Sequence, residues 1–219
     1  MSVVLVPWVV SHHYLNPLER YNIQVARGVD FGIKPRETVL DVGPMCFPFP
    51  LATHRMGSDE RDDPKDGKPF FLSDIQERTP FKDKQFDFVY CSHVLEHLDN
   101  PVAGALELSR IGKRGYIEVP SGYCTMYLFY GLVHPKWFFY TDPDGGFVFT
   151  QWDPRILKFY EDLAARGAMD RIVNGDATVE HLTSRELILK NFYYKNADLF
   201  DPSQLWKDSI KIRKGAWFE

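Results

Sequence analysis

The chain has 219 residues, 44% of them apolar, enough for the core of one large domain. Its 26 basic and 30 acidic side chains leave a net charge of −4, which argues against a basic footprint for long nucleic acid or an anionic membrane. The three cysteines, Cys46, Cys91 and Cys124, are odd in number and lack CxxC spacing, which argues against a disulfide scaffold and for reduced thiols in a cytoplasmic setting.

The first ten residues, MSVVLVPWVV, are apolar but lack a basic leader and are too short to span a bilayer; they read as an extended arm or an edge strand. Residues 15–29 read as a helix, with Asn16 as N-cap, Pro17 in the first turn and Gly32 beyond its end. Residues 37–42, ETVLDV, form a strand that runs into Gly43-Pro44. The charged stretch 57–69 is a solvated loop, and 70–72 is a short strand ending in Ser73-Asp74-Ile75. Residues 86–90, FDFVY, read as a buried strand. From Cys91-Ser92 a helix is expected, carrying His93, Glu96 and His97 within one turn and broken at Asn100-Pro101. A helix over 102–111 and a strand over 115–119 follow, ending at Pro120-Ser121.

Strands alternating with helices predict an α/β fold with a parallel sheet. Ligands of such sheets bind at the carboxyl ends of the strands, where the 86–97 stretch delivers its polar groups. Between Tyr123 and Trp152 the texture changes: eleven aromatics stand among prolines and a Gly145-Gly146 pair, as in an inserted lid or substrate platform. Residues 154–166 return to helical periodicity, and 186–195 and 208–218 alternate as a closing antiparallel pair. No internal repeat or low-complexity linker appears. The expectation is a single domain in four parts: an arm and helix (1–36), a cofactor-binding half (37–121), an aromatic insertion (122–153), and a closing helix with strands (154–219).

Four segments in order, VLDVGP, FFLSDI, PFKDKQFDFVYCSHVLEHL and KRGYIEVPS, resemble the class I S-adenosylmethionine (SAM) methyltransferases over roughly residues 38–121. The pairing of FDFVYCSHVLEH with RGYIEVPS is similar to small methyltransferases of surface-polysaccharide pathways. The resemblance implies a Rossmann-like, seven-stranded, mostly parallel sheet with flanking helices, the aromatic insertion after its fifth strand, and SAM as cofactor. Asp41 and Gly43 match the acidic residue and first glycine of the cofactor loop, with Pro44 beside them. Met45 and Cys46 stand where a second glycine is usual. The acid that would hold the ribose falls nearest Asp59, Asp74 and Ile75 match the pair at the adenine, and Ser92 and His93 match the strand end beside the methionine part. On the residues alone, the lesser alternatives are a loop-bracing carboxylate for Asp41 and a helix N-cap for Asp74.

His93 to His97 also spell H-x-x-E-H, the order of an inverted zinc peptidase, but the surrounding segments argue against that chemistry. Some O-methyltransferases carry E-x-x-E-H here and bind a divalent cation. By that resemblance His93, Glu96, His97 and a later His134 are candidate ligands; the alternative is that VLEH only packs near a helix start. For proton removal from an acceptor hydroxyl, His93, His134 and Glu118 are the candidates. No N/D-P-P-Y follows the fourth strand, which disfavours methylation of base amino groups. Trp137, Phe138, Tyr140 and Trp152 would offer ring faces to a pyranose, or else form a core under a long loop. The expected activity is methyl transfer to a sugar hydroxyl of a glycan or an activated saccharide such as a nucleotide sugar. The alternatives are a phenolic or quinone-like acceptor, or a non-catalytic module with an altered loop at Met45. The chain is expected to act as a monomer or homodimer without a membrane span.

Overall fold

The computed structural model describes residues 17–26, 28–44, 48–121, 136–155, 158 and 202–215. The expected arm, Asn16, Met45, Cys46, Cys124, His134 and the strand over 186–195 lie outside them, as does most of the helix over 154–166.

A six-stranded sheet organises the described residues, in the order β3-β2-β1-β4-β5-β8. Its strands are β1 (Val39–Val42), β2 (His54–Gly57), β3 (Phe70–Leu72), β4 (Phe88–Ser92), β5 (Arg114–Glu118) and β8 (Ser203–Lys207). The first five are parallel to one another, and β8 joins β5 antiparallel. The central strands are apolar almost throughout because both faces are covered. Period-two alternation sorts them onto two cores. Leu40, Val42, Val89, Cys91 and Ile117 face one, with Met56, Leu108 and Trp206. Val39, Phe88, Tyr90 and Tyr116 face the other, with Phe31 and Phe49. The chain order reverses between β1 and β4, which places a crevice at their carboxyl ends.

Helix α1 (Pro17–Ala26) stops well before Gly32, and α2 (Pro101–Ile111) begins behind Asn100, whose side chain accepts from the Ala103 N–H at 3.1 Å. Asn100-Pro101 therefore starts a helix. The helix expected from residue 92 does not form. Strand β4 runs two residues further than expected, His93 takes a left-handed φ of 57°, and only a 3-10 turn, Leu95–His97, follows.

The main sheet has six strands among the described residues where seven were expected. Strands β6 (Trp137–Thr141), β7 (Phe147–Gln151) and β9 (Ile212–Lys214) form a separate small sheet. The strand expected over 208–218 shortens to β9, which pairs parallel with β7; the partner expected for it over 186–195 lies outside the described residues. Asp208 at a φ of 67° turns the chain between β8 and β9. The aromatic run is largely core in its described part. Phe139, Phe147 and Phe149 join the main apolar cluster, while Phe138 and Trp152 are buried edge-on against each other. Each such ring contributes about 1.5–3 kcal/mol by burial, which is why the hairpin packs inward. Trp137 and Tyr140 are half-buried. No helix of the described residues is long and apolar enough to cross a membrane.

Candidate functional site

A cleft of about 270 Å³ opens at the carboxyl ends of β1 to β4. Its floor is Gly43, where β1 ends at a φ of 69° and the Gly43 N–H donates to the Met56 carbonyl at 2.8 Å. Only glycine takes this conformation without strain, and a Cβ here would sit 2.5 Å from Val94 Cγ2. Strand β2 ends at Gly57, over which Asp62 folds closely: an added Cβ would meet the Asp62 Oδ2 at 2.5 Å.

Asp62 therefore lines the cleft at the end of β2, where Asp59 was expected. Asp59 caps the following 3-10 turn and grips Arg61 at 2.6 Å, and those hydrogen bonds hold its carboxyl down at about 2. The signal was present as D-E-R-D over residues 59–62. An acid at a turn's N-cap spends its oxygens on the turn's backbone, while the acid three residues on reaches back.

Asp74 and Ile75 line the cleft, and Asp74 Oδ1 accepts from the Gln76 N–H at 2.8 Å in an Asx turn. No helix follows, so Asp74 is not a helix N-cap. Val94, His97 and Leu98 form the facing wall.

Asp41 does not reach the cleft. It lies on the opposite strand face from Val42, fully buried, paired with Arg55 at 2.6 Å and accepting from the Phe49 N–H at 2.7 Å. Burial pushes its carboxyl up to about 6, against the opposing pull of Arg55 and the Phe49 N–H. The loop-bracing reading is correct for Asp41. Pro44 is buried beside Gly43 and does not line the cleft.

His93 joins the cleft to a buried polar cluster. Its ring lies 3.7 Å (Nδ1) from Glu96 Oε1 and 3.6 Å (Nε2) from Glu118 Oε1, and the His93 backbone N–H donates to the Glu118 carbonyl at 2.9 Å. The side-chain separations are ion-pair distances, longer than hydrogen bonds. Glu96 and Glu118 are 1% and 2% exposed. Glu118 accepts from the Tyr116 hydroxyl at 2.6 Å, the Ser92 hydroxyl at 2.9 Å and the Gln24 amide at 3.3 Å. Ser92 thus serves Glu118 and does not line the cleft. Burial and the adjacent Glu118 push the Tyr116 phenol well above its ordinary value, so it donates as a neutral hydroxyl. Tyr116 and Gln24 carry no motif and were not anticipated.

Of the expected cation ligands, His134 lies outside the described residues, and His93 stands outside the 3-10 turn that holds His97. His97 Nε2 lies 3.5 Å from Glu96 Oε1, but among the described residues no group of three His, Cys, Asp or Glu side chains is placed to hold a metal ion.

Residues 53–117 match the family model described as a methyltransferase domain. The solved structures similar to this chain include the YcgJ protein of Bacillus subtilis, at 15% identity over 47% of this chain and 51% of that one, with a TM-score of 0.37. A SAM-dependent methyltransferase from Aquifex aeolicus is 20% identical over 50% and 66%, with a TM-score of 0.38. The PH0226 protein of Pyrococcus horikoshii is 15% identical over 67% and 80%, with a TM-score of 0.42. The chain spans about half the length of the first of these, 51%. No protein of curated function matches the chain by sequence. The domain match lies on the mostly parallel sheet and spans the carboxyl ends of β2, β3 and β4, which line the cleft.

Proposed function

We propose that the chain transfers a methyl group from SAM to a hydroxyl of a sugar, in a glycan or an activated saccharide. The observation that carries the reading is His93 at the cleft, held between the buried carboxylates of Glu96 and Glu118. Gly43, Asp62, Asp74 and Ile75 would hold the cofactor, whose sulfonium supplies a methyl group with a good leaving group already in place. The chain's own task is to align the acceptor and remove its proton. Alignment can supply on the order of 7–11 kcal/mol of the barrier. His93 is the group that would take that proton.

The sugar assignment is supported by the half-buried rings of Trp137 and Tyr140, since Phe138 and Trp152 are committed to the core. The Lys136 N–H donates to the Glu96 carbonyl at 2.7 Å and the Trp137 indole to the Leu98 carbonyl at 2.8 Å, which ties this strand to the rim of the cleft.

The test is methyl transfer from labelled SAM to parallel panels of saccharides and phenols, with wild type and His93→Gln. The reading expects transfer to a saccharide and a loss of about 10²–10⁴-fold in kcat for the variant. Methylation of phenols with no saccharide product would overturn the sugar assignment. An unchanged kcat for His93→Gln would remove the histidine from the chemistry.

A further inference from the structure

Arg55 is 1% exposed in the middle of β2. It stands in register opposite Asp41 on β1. One guanidinium nitrogen, Nη1, donates to Asp41 Oδ2 at 2.6 Å and to the Phe49 carbonyl at 2.9 Å. The same Asp41 oxygen accepts from the Phe49 N–H at 2.7 Å. Both backbone polar groups of Phe49 are thus captured by one buried ion pair. On its other side, Nη2 donates to Asp66 at 2.8 Å, and Lys68 reaches the Pro50 carbonyl at 3.3 Å.

Phe49 lies beyond Gly43 on the connection that leaves β1. Its ring stacks on Tyr90 at 4.1 Å and 7°, and the Gln24 amide that donates to the Tyr90 hydroxyl at 2.9 Å also donates to Glu118. The far end of the connection is therefore fixed to both β1 and β4, the two strands whose ends flank the cleft.

A buried ion pair is a costly way to fill a core, because desolvation offsets the Coulomb attraction and apolar residues of similar volume are often as stable. Arg55 Nε also lies buried without a hydrogen-bond partner. What an apolar pair cannot do is bind a backbone N–H and a carbonyl at once. We infer that Arg55 is a positioning residue for cofactor binding, which with Asp41 clamps Phe49 and so fixes the carboxyl ends of β1 and β2, where Val42, Gly43, Met56 and Gly57 line the cleft. The inference rests on the proposed binding of SAM in the cleft.

The test compares wild type with Arg55→Lys and, as control, Arg114→Lys. Arg114 is another bridged arginine, bonded to Glu37 and to the Phe31 and Gly32 carbonyls, at the amino-terminal end of β5 away from the cleft. S-adenosylhomocysteine affinity, the KM for SAM, kcat, thermal unfolding and amide exchange at Phe49 are measured for each. Arg55→Lys is expected to weaken S-adenosylhomocysteine by about tenfold or more, to raise the KM for SAM with kcat nearly unchanged, and to speed exchange at Phe49. Arg114→Lys is expected to lose stability without these changes. Wild-type affinity in Arg55→Lys, or an affinity loss that Arg114→Lys matches at equal stability, would overturn the inference. If Arg55→Lys does not fold, the volume-conserving pair Arg55→Met with Asp41→Leu decides: a folded, weakly binding protein supports the clamp, and a tightly binding one refutes it. No binding by wild type would refute the cofactor reading, while exchange at Phe49 in Arg55→Lys would still judge the clamp itself.

Discussion

Replacing Gly43 by Ala introduces two separable costs. The residue sits at a φ of 69°, and the left-handed region costs an alanine roughly 1–2 kcal/mol. The new Cβ would also stand 2.5 Å from Val94 Cγ2, well inside the usual 3.5–4.0 Å between carbons, and overpacking of this kind costs about 1–3 kcal/mol. The sum, about 2–5 kcal/mol, is a large share of the stability of an ordinary domain. Urea unfolding followed by near- and far-UV circular dichroism measures it. The two costs separate in a double-mutant cycle with Val94→Ala, which removes the clashing methyl groups and leaves φ as it is. The double variant should recover about 1–3 kcal/mol relative to the sum of the single changes. A Gly43→Ala protein within about 0.5 kcal/mol of wild type, or a cycle with no coupling, would refute this account of the turn.

Three further outcomes follow from the same geometry. Glu107 accepts from the Thr79 N–H at 2.7 Å, the Thr79 hydroxyl at 2.6 Å and Arg110 at 2.6 Å, so Glu107→Ala should cost about 2–4 kcal/mol in urea unfolding by stranding buried donors; a loss under about 1 kcal/mol would contradict it. Tyr116→Phe removes the 2.6 Å donor to Glu118 and should cost about 1.5–3 kcal/mol, read the same way, with a lower kcat once an acceptor is in hand. Asp41 titrates at about 6 in the native state against an ordinary value of 3.8, so the folded protein holds this proton more tightly than the unfolded chain. Its stabilising contribution is complete below about pH 4 and is lost as pH rises through about 6, roughly 3 kcal/mol in all. Unfolding measured between pH 4 and 7 should show that decline in wild type and not in Asp41→Asn; parallel curves would refute it.

The parallel sheet was legible because its strands are short apolar runs punctuated by glycine, proline and Asx turns. Gly43 and the Asp74-Ile75 pair could be placed because backbone need and strand-end position fall within a few consecutive residues. Asp62 was missed because two acids three residues apart compete for one strand end, and turn capping decides between them. The helix expected at His93 failed because a left-handed residue after β4 is invisible to periodicity. The aromatic hairpin was read as a platform because ring composition does not distinguish a stacking face from a core layer; pairing with β9 turned most of it inward. Arg55, Tyr116 and Gln24 act through contacts between residues far apart in the chain, Gln24 to Glu118 above all, and no local pattern encodes such contacts.

The most direct test of the central claim is calorimetric titration of S-adenosylhomocysteine into wild type and Asp62→Ala, with and without EDTA. The account predicts saturable binding by wild type that EDTA leaves unchanged, and affinity weakened about tenfold or more in the variant. Absence of binding by wild type, or equal binding by the two proteins, would contradict the assignment of this cleft to the cofactor.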